Sequence, residues 1–328
     1  MEQRRGIGFT PLEQRREVVV DLCKLADSLG YEAVQIPEGW GLDSTALIAE
    51  IAVKTEHIRP MSAIVSIYGR TPGTIAMSTA TLADISGGRY VLGLGVSTAA
   101  MVEGFHDVEF DRPAKRLGQV ASDVRWLLSG ERANLRRDTA ARPLRLGLPP
   151  VTDQEIHIAG LRSRTSRVAA EQGDGWMPAF IGRDRLKSRS RELLEVRAAA
   201  GIDDPFTVSA AAMSAVHDDE SVARQMVATN LAFYITAMGY APLLVDQGFG
   251  AEVEAVVEAN PNPSPTNSVI PPEAEALLEQ FAVYGDDSGV ADQLQTWDQA
   301  ADIAVIGLSP GQSREDLARV VTAAAPTK

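Results

Sequence analysis

The sequence predicts a single (β/α)8 barrel of the α/β class. Three observations carry this expectation: short apolar runs alternate with longer helical periodicities, eight such strands fit along 328 residues, and capping residues or glycines punctuate the joints. The first run, Gly6 to Phe9, precedes a helical pattern from Glu13 to Leu29, where Val19, Leu22 and Ala26 place Cys23 near the core. Ala33 to Ile36 reads as the second strand and Ser44 to Lys54 as its helix, capped by Asp43 or Ser44. Ile58 to Ile67 is the third strand, and the Thr-Pro start at Thr71 opens a helix from Pro72 to Ile85. Tyr90 to Leu94 follows as the fourth strand, with a helix from Pro113 to Leu128. Glu155 to Ile158 with Ser163 to Gln172, and Gly175 to Pro178 with Arg185 to Ala199, form the fifth and sixth units. Phe206 to Ala215 is the seventh strand, and Asp302 to Ile306 with Ser313 to Ala324 closes the set.

The whole chain, 1–328, is expected to form one domain with two excursions. Residues 131–150 carry five arginines and end in LGLPP, which reads as a surface excursion whose arginines form a solvated face. Residues 221–285 hold helical patterns broken by ANPNPSPTN, which no regular element can cross. That segment is an expected helical insertion between strands seven and eight, serving either as a lid over a substrate or as an oligomer contact.

Composition narrows the function. A net charge of −13 argues against nucleic acid as a partner, which needs clustered positive charge. A single cysteine cannot form an internal disulfide, MEQRRGIGFT lacks signal-peptide character, and no apolar run reaches the length of a membrane span. A cytoplasmic enzyme with no membrane partner is the expectation. His57, His106, His157 and His217 show no metal-ligand spacing, and G-x-S-x-G, P-loop and CxxC patterns are missing.

In a barrel, functional groups lie just after the strand ends. SGGRYVLGLGVS, from Ser86 to Ser97, offers Gly93 and Gly95 for close approach of a ligand, then Val96, Ser97 and Thr98 at a helix entrance. The same glycines also suit a plain strand-to-helix turn, and a dinucleotide fingerprint is ruled out by Thr98 where its third glycine belongs. After strand two, Glu38 is a candidate proton donor or cofactor contact and Trp40 an apolar wall. After strand three, Tyr68 and Arg70 appear, the latter suited to a carboxylate or phosphate. AGLRSRTSR supplies Gly160, Arg162, Ser163, Arg164 and Arg167 at a helix start that also suits an anion. Trp176 and Phe180 offer aromatic faces or core, and His106 follows the glycine-rich loop. Anion-binding strand ends with apolar walls suit a cofactor that brings its own chemistry.

IPEGWGLD, RTPGTIAMSTATLADISGGRYVLGLGVS, VEGFHDVEFDRP, IHIAGLRSRTSRVAAEQGDGWMP and YGDDSGVADQLQTW together resemble the bacterial-luciferase-like superfamily, specifically its oxidoreductases dependent on the deazaflavin coenzyme F420. The resemblance spans the barrel apart from the two excursions. It implies a TIM-like barrel with the cofactor at the strand ends. The ring would rest on a bulge at Ser62, Ala63 and Ile64, where relatives often have a non-proline cis peptide, with Ser66 just beyond. Gly95 to Thr98 and Ala159, Gly160, Leu161, Arg162 and Ser163 would hold the phosphate-bearing tail, and Glu38 would lie near the ring. The expected substrate pocket comprises Trp40, Tyr68, Arg70, His106 and Trp176. Sugar-phosphate dehydrogenases of the family carry an Asp-His pair and a loop Glu where this chain has Glu38, Gly39 and about Thr98. The departure points instead to a reductase of the methylenetetrahydromethanopterin-reductase type, moving hydride to or from a C=N or C=C bond of a small molecule. The alternatives are an FMN-dependent monooxygenase and a non-catalytic flavin-binding barrel. The resemblance also implies a homodimer.

Overall fold

The computed structural model describes residues 3–136 and 138–327. The expected domain over 1–328 and the excursion over 131–150 include Met1, Glu2, Arg137 and Lys328, which lie outside the described residues. The strands are β1 (Arg5–Gly8), β2 (Ala33–Ile36), β3 (Arg59–Ser62), β4 (Val65–Ser66), β5 (Leu92–Gly95), β6 (Ile156–Ala159), β7 (Gly175–Trp176), β8 (Thr207–Val216), β9 (Ala282–Gly285) and β10 (Ile303–Leu308). Their order is β3-β2-β1-β10-β8-β7-β6-β5-β4, with β9 beside β8, and every pairing among the described residues is parallel. The two ends of this order are the halves of the predicted third strand. The Met61–Val91 bridge, with Ser62 N–H donating to Val91 O at 3.3 Å, joins β3 to the residue before β5 and closes a TIM-like barrel.

Strand alternation sorts the side chains into two layers. Ile7, Val34, Ile36, Leu92, Leu94, Ile156, Ile158, Ala304 and Ile306 face outward into the helix-covered core. Ala33, Met61, Val91, Met177, Ile303 and Val305 fill the lumen, with Ile64 and Ala159 packed against them. Burying each large aliphatic side chain contributes about 1.5–3 kcal/mol. Four helices have the bounds their punctuation predicts: Ser44–Lys54, Pro72–Ile85, Pro113–Leu128 and Ser163–Gln172.

Other elements differ from expectation. The first helix begins at Arg16 rather than Glu13 because the Glu13 carboxylate accepts from Arg15 N–H and its guanidinium, which holds residues 13–15 in a turn. The third strand is interrupted between β3 and β4, where the Ala63–Ile64 peptide bond is cis. Residues 217–281 fold as helices Glu220–Thr236, Ala241–Val245, Gly250–Ala259 and Glu275–Phe281 with their own hydrophobic cluster. Strand β9, unanticipated in the sequence, then pairs with the carboxyl end of β8.

The barrel floor is polar. Arg59 donates to Glu155 at 2.6 Å, and Nε2 of the buried His157 lies 3.1 Å from the other Glu155 oxygen. The hydrogen bond from His157 is the main cause that holds the Glu155 carboxyl at about 2, below its ordinary 4.5, with Arg59 adding to it against the opposing effect of burial. A folded value below the unfolded one contributes stability that is complete above pH 4.5 and lost as pH falls toward 2. Glu155→Gln is therefore expected to flatten the acid limb of stability over that window, measured by denaturant titration at several pH values. In the lumen, a Cβ at Gly93 would lie 1.9 Å from Ser62 O and 2.8 Å from Met177 Sδ. Gly93→Ala is expected to cost about 1–3 kcal/mol or more in denaturation midpoint analysis. Gly104→Ala, whose Cβ meets nothing within 4 Å, should leave stability nearly unchanged.

Candidate active site

The mouth of the barrel is a shallow well built by small inward-facing residues. Ala211 is exposed although Ala210 and Ala212 beside it are buried, so the lumen opens to solvent down to the Ala211–Val305 pair. Ile64, Ala159 and Met213, all partly buried, lie around it. Gln35 Nε2 donates across the lumen to Ser209 Oγ at 3.1 Å.

On one side of the well stands a charge cluster. Asp43 caps the helix Ser44–Lys54 by accepting from Ala46 N–H, as the sequence predicts. Ser44 is not the cap but the first helical residue, and its buried hydroxyl donates to Glu38 Oε2 at 2.7 Å. Arg70 Nη2 reaches Glu38 Oε2 at 2.8 Å and Asp43 Oδ2 at 2.7 Å. Partial burial pushes the Asp43 carboxyl up, but the Ala46 N–H and Arg70 outweigh it and hold the group below its ordinary value. Arg70 is thus committed to two carboxylates and is not a free anion clamp. A Cβ on Gly39 would meet Pro11 Cβ at 2.7 Å, so the position after Glu38 has no room for a side chain. Trp40 sits on the same loop, 38% exposed.

Two loop-to-helix joints face the opening. Val96, Ser97 and Thr98 are partly buried, Ser97 is left-handed at φ 59°, and Thr98 caps a short helix, Ala99–Gly104, by accepting from Met101 N–H. Gly160 lets β6 run straight into the helix Ser163–Gln172, since a Cβ there would lie 2.5 Å from Ser166 N. Leu161, Arg162 and Ser163 are exposed at that helix start. Glycine, first-turn amides and solvent access together fit a phosphate group.

Several expected contacts have other partners. The glycines of VLGLG make room for neighbouring barrel residues: Gly93 is closed off by Ser62 and Met177, and a Cβ on Gly95 would meet Ile64 at 2.7 Å and Ala159 at 3.3 Å. Ser62 Oγ accepts from Gly93 N–H at 2.8 Å and lies 3.1 Å from Tyr90 Oη, so its hydroxyl belongs to the barrel wall. Ala63 lies at the well, its N–H donating to Ile36 O at 2.7 Å. Ser66 Oγ accepts from Tyr68 N–H. Tyr68 is not a pocket wall: it is buried, donates to Asp111 O at 2.7 Å, and lies beneath the Arg116 guanidinium. Trp176 is likewise outside the pocket, because β7 turns it outward into the core, where its indole donates to Gly160 O at 2.7 Å. His106 is half-buried against the Gly69 backbone, edge-on to Phe105.

Phe180, a candidate aromatic face or core residue from the sequence, belongs to an aromatic clasp whose two tyrosines the sequence did not single out. Phe180, left-handed at φ 51°, stacks 4.2 Å from Tyr240 and 4.8 Å from Tyr234, both from the segment after β8. Gln247 pins the loop by donating to Phe180 O at 2.8 Å and accepting from Gly182 N–H at 2.9 Å. Asn230, on the same helix as Tyr234, donates to Ser309 Oγ after β10. The helical segment therefore spans one side of the mouth. A left-handed phenylalanine is the strongest signal of the clasp, and it is invisible in sequence. Gln247→Ala is expected to remove both loop hydrogen bonds and cost about 1–3 kcal/mol. Faster amide exchange at Gly182, with the barrel strands unchanged, is the measurement that checks it.

The sequence profile of the luciferase-like monooxygenase family matches residues 5–302. A Mycobacterium tuberculosis protein provisionally described as a coenzyme F420-dependent oxidoreductase is 27% identical over 92% of this chain and 93% of its own length. Among solved structures, the coenzyme F420-dependent tetrahydromethanopterin reductase of Methanopyrus kandleri superposes with a TM-score of 0.77 at 19% identity, covering 98% of both chains. The oxygenating constituent of 3,6-diketocamphane monooxygenase from Pseudomonas putida, a structure holding FMN, superposes at 0.69 with 16% identity over 98% of this chain and 95% of its own. The structural likenesses establish the shared barrel, and the profile match covers most of the chain: it belongs to the luciferase-like monooxygenase family.

Proposed function

We propose that the chain is an oxidoreductase that moves a hydride between coenzyme F420, held at the barrel mouth, and a small organic molecule with a C=N or C=C bond. The observation that carries this reading is the state of the groups after strand two. Glu38 is engaged by Ser44 and Arg70, and Gly39 is closed by Pro11, so this end of the pocket has no place for the base that alcohol oxidation requires. A reaction that leaves bond-making to the cofactor asks the protein mainly for orientation and exclusion of water.

The cofactor, when bound, supplies or takes up the hydride. Gly160 and the first turn of Ser163–Gln172 hold a phosphate through backbone N–H groups, aided by Ser97 and Thr98 on the neighbouring joint. Ile64, Ala63 and Ala159 offer a flat apolar support at the level where the lumen opens. Glu38, fixed in one rotamer by its donors, acts as a hydrogen-bond acceptor at the edge of the well rather than as a mobile acid. The Phe180–Tyr240–Tyr234 clasp shields the opposite rim from water.

Paired titrations with coenzyme F420 and FMN, followed by ligand fluorescence, test this. Tight binding of the deazaflavin with weak binding of FMN is expected. Preference for FMN would overturn the reading in favour of an oxygen-dependent monooxygenase, and binding of neither would leave a non-catalytic barrel. Glu38→Gln is expected to lower kcat more than it weakens cofactor affinity, because the amide still accepts from Ser44 but loses the charge that orients Arg70. Equal losses in steady-state kinetics and titration would make Glu38 a binding residue alone.

A further inference from the structure

The described residues of 131–150 form a basic surface with exposed apolar side chains. The segment carries five arginines against Glu131 and Asp138, in a chain whose net charge is −13. Their fold is held in place: Ala133 N–H donates to Leu144 O at 2.7 Å, Trp126 Nε1 to Arg132 O at 2.8 Å, and Arg132 to Pro143 O at 2.8 Å. Leu146 packs inward against the core, whereas Leu144 and Leu148, two residues to either side, are exposed. Leu144 is 73% exposed, Trp126 49%, Leu148 46% and Leu135 44%. Arg142 and Arg145, both exposed, have no carboxylate partner among the described residues.

Against the expectation of no membrane partner and a merely solvated arginine face, we propose that this excursion is a peripheral docking surface for an anionic lipid interface. Outward leucines and a tryptophan beside unpaired arginines combine the two attractions that hold a protein at such an interface: apolar side chains entering the headgroup boundary, and cations meeting phosphate. The acidity elsewhere does not oppose this strongly, because charges more than about 8 Å away are screened at physiological salt. Arg142 and Arg145 provide the charge complementarity, and a neutral surface would leave both arginines without anions.

Co-sedimentation of the full chain with vesicles of phosphatidylcholine containing roughly 30% phosphatidylglycerol tests the proposal. Binding that exceeds binding to pure phosphatidylcholine, and that weakens at about 0.5 M salt, is expected. Arg142→Glu with Arg145→Glu, and separately Leu144→Ser with Leu148→Ser, should each weaken it on the order of tenfold, with unchanged circular dichroism. Absence of sedimentation, equal binding to neutral vesicles, or binding indifferent to both variants would overturn the proposal. A change of molecular mass in the variants without vesicle binding would also overturn it, and would assign the surface to a second copy of the chain.

Discussion

The barrel closes along a seam that any side chain at Gly93 would hold open. β3 and β5 come together where Ser62 O lies within 1.9 Å of the place a Cβ would occupy, and Ser62 Oγ takes the Gly93 amide in return. One step further along, Ile64 fills the space beside Gly95. Glycine here serves the approach of two backbones, and its lack of a side chain becomes the condition for a closed sheet.

Closure sets where the chemistry can occur. Parallel strands deliver their carboxyl ends to one rim, so joints far apart in sequence, Ser97–Thr98 and Gly160–Ser163, share that rim with Glu38. The charged groups near the opening are already committed: Arg70 is divided between Glu38 and Asp43, and Ser44 secures Glu38 from the other side. Such prior commitment keeps the polar groups in place when a ligand arrives, at the expense of their availability as acids or bases. Its counterpart on the opposite rim is the clasp, where Gln247 holds a left-handed Phe180 against two tyrosines.

Much of the barrel was legible in the sequence because its helices are punctuated by local chemistry. Asp43 and the Thr71–Pro72 start mark boundaries that cap hydrogen bonds enforce, Pro113 marks one through its fixed φ, and the structure places helix starts there. Glu13 misled for the same local reason in reverse, since its carboxylate stabilises a turn instead of a helical first turn. Of the candidate site, the Glu38 loop and the two joints were readable as strand-end positions. Trp176 was misplaced because a two-residue strand gives too little alternation to tell lumen from core. β9 was hidden because its run, AVYG, pairs only with the far end of β8.

The sequence by itself determined the alternating βα order, the capped helices and the strand-end loops, because periodicity and capping act over distances of a few residues. Tertiary structure alone decided that Gly93 and Gly95 make room for Ser62 and Ile64 across the barrel, that Arg70 is spent on Glu38, and that Phe180 meets Tyr234 and Tyr240. Each of those outcomes depends on which backbones approach one another across the closed sheet. That approach is set by the packing of the whole barrel, and no local pattern encodes it.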